Sequence, residues 1–535
     1  MKIDKRLFII FFISISANIS LSAIRVVTYN MYSGSSNYDP GSLDNKIAVL
    51  RAIDNYPYNN IDRPFDILVA QELMSNHVIE SYLVNGSGSV NGLNDYYGSG
   101  TYAYDAGTVG GDGYNYNGMI YNTTTVQLIQ RRNFRAPGAP RDTVRYRFRI
   151  LGYGPESDIY IYNSHLKAYS DAASRITRTK EAQYIRWSIA YGGDSLPEGT
   201  NIIYAGDFNL TGGGTEDCVM TNGDVSSLGG YDNPWYYYVK QVLFAGTGAA
   251  YTSTGYGLAF DPAGITSPVN WNNSSSYRRL HTWNSTTPTS RLDFQLVSSE
   301  LYDGEGVSLI APGVGNCTAI ENSYRPLGND GTHTYGGLIK YSASSRYTID
   351  VFNNLQFSSD HLPVIADYQR PAVLEVSVQM PSEPVDLNSP TVATVTVSNA
   401  AQVSSPVGAD ELDYEIVITN GGTLTDSGIG SDYALGSGNT HEIRLNTLTT
   451  GIQSLQIRVS SSSQACANPV YEQTFPFEVV EPISEISSLF YEQFIPAWLS
   501  ECGDASYNVD CDFDSNCIID FSDFELFSEN WLIDL

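Results

Sequence analysis

The chain has 535 residues, 42% apolar and 16% charged, with a formal net charge of −29. That length exceeds one ordinary domain, and the composition excludes a disordered or collagen-like chain. Residues 24–370 hold 24 Lys and Arg against 32 Asp and Glu, and residues 371–535 hold 2 against 25, so the second part repels polyanions and the first is only mildly acidic.

Lys2, Lys5 and Arg6 precede the apolar run Leu7–Ile13, and Ser20, Ser22 and Ala23 supply small residues for cleavage. Residues 1–23 therefore read as a signal peptide. Ser14, Ser16 and Asn18 break the run short of the roughly 20 residues a membrane span needs. No other stretch is long and apolar enough, so the mature chain is expected to carry no transmembrane segment. The expected location is secreted, extracellular or cell surface. Six cysteines (218, 317, 466, 502, 511 and 517) suit an oxidising compartment, and no CxxC spacing points to a zinc ribbon. Three of them crowd the C-terminus, where a bridge is expected; its pairing stays open.

Residues 24–370 alternate short apolar runs with loops. Ile24–Tyr29, Ile67–Ala70, Gly118–Tyr121, Ile159–Asn163, Ile202–Ala205, Leu292–Val297 and Leu362–Ala366 read as buried strands. Asp44–Tyr56 and Ala172–Ala190 read as helices. Strands with interspersed helices predict a layered α/β domain. Polar residues stand at the ends of these runs: Asn30, Glu72, His165, Asp207 with Asn209, Asp293, and Asp360 with His361. Singly each has an ordinary reading. Asn30 caps a turn, Glu72 starts a helix, and His165 is half-exposed. Gly206-Asp-Phe-Asn209 is more specific, because Gly permits a tight backbone and two oxygen-bearing side chains leave one turn. Asp293 stands between apolar neighbours, where a buried carboxylate must be paired. Arg131, Arg132, Arg135, Arg141, Arg145, Arg147 and Arg149 form a basic stretch. The alternating Arg145, Arg147 and Arg149 share one strand face, read either as a phosphate-facing surface or as a solvated edge strand.

Beyond Arg370-Pro371 the pattern becomes period-two strands with turn signals and almost no helix, as in an immunoglobulin-like β-sandwich over residues 371–481. Residues 484–535 carry an internal repeat: Tyr491-Glu-Gln-Phe-Ile-Pro-Ala-Trp-Leu499 matches Phe524-Glu-Leu-Phe-Ser-Glu-Asn-Trp-Leu532. Before the second copy, Asp512, Asp514, Asn516, Asp520 and Asp523 fall at positions 1, 3, 5, 9 and 12 of an EF-hand-type calcium loop. Cys517 replaces the usual Gly at position 6, and position 12 is Asp instead of Glu. The region resembles a dockerin module, with one recognisable loop. That resemblance implies bound Ca²⁺ and a cohesin-like or cell-surface partner.

The order Asn, Glu, His, Gly-Asp-x-Asn, Asp and Ser-Asp-His over about residues 24–368 resembles the endonuclease/exonuclease/phosphatase superfamily. That superfamily includes deoxyribonuclease I, abasic-site endonucleases, sphingomyelinases and inositol phosphatases. The resemblance implies an α/β (α+β) four-layer sandwich with the site at one edge of two sheets, followed by the all-β sandwich and the small helical calcium-loop module. It implies Mg²⁺ (or Mn²⁺) with Glu72 as main ligand and Asn30 and Asp360 beside it. Asp293 would orient His361, His165 would contact the phosphate or act as acid/base partner, Asp207 would orient or deprotonate water, and Asn209 would position the phosphate. Whether Asp207 or His361 is the base stays open. Arg141 falls where the deoxyribonuclease branch has a phosphate-contacting Arg. His165 stands where the abasic-site branch has Tyr. One departure is Tyr114-Asn-Tyr-Asn117, where the deoxyribonuclease branch has a Glu that orients the first His. The expectation is a secreted divalent-metal-dependent phosphodiesterase, foremost a non-sequence-specific endonuclease acting on nucleic acid. Alternatives are a sphingomyelinase/phospholipase C-like or phosphomonoester hydrolase, with Trp235-Tyr-Tyr-Tyr238 as a membrane hairpin, and a surface adhesion or scaffold protein with an inactive hydrolase domain.

Overall fold

The computed structural model describes residues 23–32, 40–53, 58–73, 79–105, 116–169, 171–190, 195–210, 259–263, 275–283, 290–331, 346–382, 384–482 and 489–531. The expected signal peptide up to residue 22, Cys218, Tyr114 and Trp235–Tyr238 lie outside them.

The first part is built on two mixed sheets. One contains β1 (Ile24–Asn30), β2 (Ile67–Leu73), β3 (Tyr102–Asp105), β4 (Tyr116–Asn122), β10 (Arg325–Pro326) and β11 (Val364–Tyr368), in the order β10-β11-β1-β2-β4-β3. The other contains β5 (Val126–Phe134), β6 (Thr143–Ile150), β7 (Ile159–His165), β8 (Asn201–Asp207) and β9 (Asp293–Val297), in chain order. Within them β1–β2 and β7–β8 run parallel. Strand alternation divides each chain segment between two cores. Val26, Ile67, Val69, Val364 and Ala366 face the second sheet and share a core with Tyr146, Phe148, Ile159 and Ile161. Val27, Tyr29, Leu68, Ala70 and Ile365 face the other way, onto Leu43, Ile47 and Leu50 of α1 (Pro40–Ala52). Burial on both faces is why these strands are unbroken apolar runs.

The short helices α2 (Ile79–Asn85) and α3 (Leu93–Tyr97) lie on that outer side too. Ala182, Ile185 and Ile189 of α4 (Ala172–Ala190) join the core of the second sheet. The layers are therefore helix, sheet, sheet, helix. The helix α5 (Ile349–Ser358) also packs on α1. Sequence reasoning missed it, because two asparagines dilute its propensity. The helix expected over Asp44–Tyr56 instead spans Pro40–Ala52. The strand expected from Leu362 starts at Val364, since Pro363 has no N–H for the ladder.

The basic stretch is mostly spent on structure. β6 is interior, flanked by β5 and β7, so its arginines do not form a solvated edge. Arg145 is buried against the rings of Phe134, Tyr160 and Tyr162. Arg147 and Arg149 share Asp158, Arg131 pairs with Asp105, and Arg135 pairs with Asp142.

Glu80 of α2 is buried, and neither carboxyl oxygen has a hydrogen-bond partner among the described residues. Burial, reinforced by Asp105, pushes its pKa from 4.5 up to about 7. The folded state therefore holds this proton more tightly, and stability falls as pH rises from about 4.5 through about 7. Glu80→Gln should stabilise the protein by up to ~3 kcal/mol at pH 8 and by little at pH 4.5. Urea denaturation at both pH values measures this; an equal effect at both would refute the assignment.

Residues 374–480 form two further sheets. One is β12 (Leu374–Gln379), β14 (Val392–Asn399), β18 (Asn439–Leu445) and β16 (Gly422–Leu424), in that order. The other is β13 (Val385–Asp386), β20 (Val470–Val480), β19 (Gly451–Ser461), β15 (Leu412–Asn420) and β17 (Ile429–Asp432). Inward residues of both, such as Val395, Ile443, Ile416, Leu455 and Ile457, share one core. In the tail, Phe494, Phe527 and Cys511 form a small core with Phe490, Trp498 and Phe524, two of these rings lying on α6 (Phe521–Trp531). The tail bridge joins Cys502 to Cys517, while Cys511 is a buried thiol. No described helix is long and apolar enough to cross a membrane.

Candidate active site

Strand direction explains how residues far apart in the chain meet. Asn30 and Glu72 lie at the C-terminal ends of parallel β1 and β2. His165 and Asp207 close parallel β7 and β8 and are register partners. β9 is antiparallel to β8, so its first residue, Asp293, sits opposite Asp207. β11 is antiparallel to β1, so Asp360 and His361, just before it, reach the same edge. Asn209 follows β8 by two residues. A register shift between Ala70 and Leu73 against β4 turns Glu72 toward this edge. Glu72 and Asn209 both take positive φ, 52° and 51°, which is uncommon for non-glycine residues and concentrates at functional sites.

The side chains interlock across the two sheets. Asn30 Nδ2 donates to Glu72 Oε1 and to Asp207 Oδ2, both at 3.0 Å, and its oxygen accepts the Tyr32 N–H. As oriented, Asn30 thus positions two carboxylates and turns its oxygen away from them. His165 Nε2 lies 3.6 Å from Glu72 and 3.5 Å from Asp207. His361 Nδ1 pairs with Asp293 Oδ2 at 2.7 Å, and its Nε2 lies 4.0 Å from Asp207 and 3.9 Å from Asp360. Asp207 Oδ1 accepts the Asn209 N–H. Asn209 Nδ2 and Arg141 Nη1 both donate to the Leu166 carbonyl, which places Arg141 beside the histidine.

The two histidines differ electrostatically. Burial, then Arg141, His361 and Lys167, holds His165 well below the usual range, so its imidazole is neutral. Burial also opposes charge on His361, but Asp293, Asp207 and Asp360 outweigh it and raise its pKa to about 10. Asp207 is pushed up to about 7 by burial, with Asp293 and Glu72 adding to the shift and His361 opposing it. Glu72 and Asp360 are raised mainly by burial.

Glu72, His165 and Asp207 each bring a ligand atom within 4.8 Å of the others. Asp360 stands outside that group, 43% exposed at its side chain, with a buried Oδ1 that has no hydrogen-bond partner among the described residues. This carboxylate-rich donor set fits a hard divalent cation. His165 Nδ1 and Asn117 Oδ1 are also buried without partners among the described residues. Within the stretch Tyr114–Asn117, where the departure was expected, only Tyr116 and Asn117 are among the described residues, and no described carboxylate meets His165 Nδ1.

Several supporting residues escaped sequence reasoning. Ser359 Oγ donates to the Asn30 carbonyl and accepts the His361 N–H. Thr282 Oγ1 accepts the N–H groups of Leu292 and Asp293, and its carbonyl accepts the Leu362 N–H. Buried Lys46 of α1 donates to the Ser358 carbonyl. Ser359 at least lay within the Ser-Asp-His motif; Lys46 and Thr282 carried no signal. A groove of about 510 Å³ lies at the opposite ends of β7 and β8, beside Tyr160 and Asn201, and contains none of these site residues.

No family model matches the chain, and no curated protein matches it. Among solved structures, the chain is similar to D. rerio TDP2 complexed with a single-strand DNA product, at 15% identity over 65% of this chain and 99% of that one, with a TM-score of 0.36. The human Nocturnin catalytic domain with bound sulfate matches at 13% identity over 65% and 94%, with a TM-score of 0.36. A Bacteroides thetaiotaomicron mannosyl-6-phosphatase matches at 15% identity over 65% and 99%, with a TM-score of 0.33.

Proposed function

We propose that the chain is a secreted, divalent-metal-dependent phosphoester hydrolase of the endonuclease/exonuclease/phosphatase type, foremost a non-sequence-specific endonuclease. The convergence of Asn30, Glu72, His165, Asp207 and the Asp293–His361 pair at one sheet edge carries this reading. A Mg²⁺ or Mn²⁺ ion held by Glu72, with Asp360 beside it, would supply positive charge to the phosphoryl oxygens. Asn30 holds Glu72 and Asp207 in place. Asp207 orients water and accepts its proton, and imidazolium His361 offers Nε2–H to the developing negative charge. His165, Asn209 and Arg141 place the phosphate.

The endonuclease preference rests on the rim. Lys167 lies 4.7 Å from the ring centre of Tyr169, which is 71% exposed two residues away. A cation beside an exposed ring suits a backbone phosphate and a stacked base. The purified chain should nick plasmid DNA with Mg²⁺ or Mn²⁺ and stop when EDTA is added. Turnover of sphingomyelin vesicles or phosphate monoesters without DNA cleavage would move the reading to those substrates. No hydrolysis of any substrate would leave the adhesion or scaffold role.

The middle sheets we assign to an immunoglobulin-like unit over 371–481, and the tail to a calcium-binding dockerin-like module over 484–535 with a cohesin-like or cell-surface partner. In its favour, Asp512, Asp514 and Asp523 converge, and Cys517 adopts φ 70° where an EF-hand loop has Gly. Calcium should protect residues 489–531 of the full chain from proteolysis; unaltered cleavage would end this reading.

A further inference from the structure

A cavity of about 20 Å³ lies where residues 304–318 and Gln369 meet residues 406–413. That volume holds one water or one monatomic ion. Asp410 lines it and is only 3% exposed, and its Oδ2 accepts the Gly306 N–H at 2.8 Å. Glu305 and Asp413, both partly buried, line it as well. Gln369, 5% exposed, completes the wall. Its Nε2 donates to the Ala409 carbonyl, which fixes the amide orientation. The Oε1 of this cavity-lining side chain is buried with no hydrogen-bond partner among the described residues.

The charges are one-sided. Burial, then Glu305 and Asp413, pushes the Asp410 carboxyl up to about 8. Glu305 in turn is raised by burial and by Asp413, Asp303 and Glu411. No basic group is among the main causes of either shift. A buried carboxylate without a cation and a buried carbonyl oxygen without a donor are both unfavourable. One positive ion satisfies both.

We propose that this cavity binds a hard divalent cation, calcium above all, through Asp410 and the Gln369 amide oxygen, with Glu305 and Asp413 turning inward to complete the ligand set. The donors are all oxygens, one of them a neutral amide, and they come from separate segments of the chain. Calcium accepts such sets, whereas magnesium demands a near-octahedral one. Glu305 and Gln369 come from the first part of the chain, Asp410 and Asp413 from the second. The ion therefore ties the two together, independently of any hydrolase reading.

The test is calorimetric titration of CaCl₂ into the full-length chain carrying Glu72→Gln and Asp523→Ala, which disable the two groups of metal-ligating side chains that converge elsewhere among the described residues. One calcium per chain should still bind. Asp410→Asn keeps the shape and an acceptor for the Gly306 N–H, and should weaken binding at least about tenfold. Gln369→Glu adds a charged ligand and should tighten binding by about tenfold, an effect that misfolding cannot imitate. Binding of no calcium by the parent variant, or unchanged affinity in Gln369→Glu, overturns the proposal. If Asp410→Asn does not fold, the gain in Gln369→Glu decides.

Discussion

His361→Ala should lower kcat for phosphodiester cleavage by about 10³-fold or more while leaving KM within a few-fold. The side chain is buried and held by Asp293 at 2.7 Å, and its free nitrogen points toward Asp207 and Asp360. In the proposed mechanism it acts on charge that develops during the reaction. Asp293→Asn tests the same pair without removing the imidazole. Asp293 and its neighbours raise the pKa of His361 from 6.5 to about 10. A group raised in this way is protonated below its pKa and loses its proton as pH rises through it. With Asp293 neutral, that loss should move down toward 6.5, so the variant should fail above neutral pH where the parent still works. Single-turnover rates across pH 5–9 read this out. Superimposable profiles for Asp293→Asn and the parent would show that His361 does not act as an imidazolium.

The placement of the candidate site residues was legible because apolar runs of the first part are flanked, at one end or the other, by abrupt polar residues. Asn30, His165 and Asp207 close strands whose preceding residues are buried, and parallel pairing carries them to one edge. What turns them inward was not legible. Glu72 depends on a register shift against β4, and a bulge has no signature in its own residues. Lys46 meets Ser358 across 312 positions, and Thr282 serves Asp293 through a single hydroxyl. Such partners belong to the tertiary arrangement. The arginine stretch misled for the same reason. Charge along a segment looks like a binding surface until Asp158 and Asp105 are brought beside it. In the tail, three nearby cysteines left the pairing open, and only folding separates Cys502–Cys517 from buried Cys511.

Gly206→Ala should be among the most damaging single substitutions in the chain, costing at least ~4 kcal/mol of stability. Gly206 has φ 138°, a conformation that L side chains rarely adopt. A Cβ there would lie 1.9 Å from the Ser164 carbonyl oxygen and 2.8 Å from its carbon. Both are backbone atoms of the neighbouring strand, so no rotamer change relieves the clash. β7 and β8 must part, and the next register pair along them is His165 with Asp207. The protein that remains folded should therefore lose activity too. Gly118→Ala is the control. Its Cβ would meet the Glu80 carboxyl and a Leu73 methyl, at 2.3 and 2.5 Å. Side chains can shift, and overpacking of that kind costs ~1–3 kcal/mol. Denaturant unfolding of both variants should separate them by more than ~1 kcal/mol. If Gly206→Ala proves as mild as Gly118→Ala, the close backbone approach at Gly206 is not what holds Asp207 beside His165.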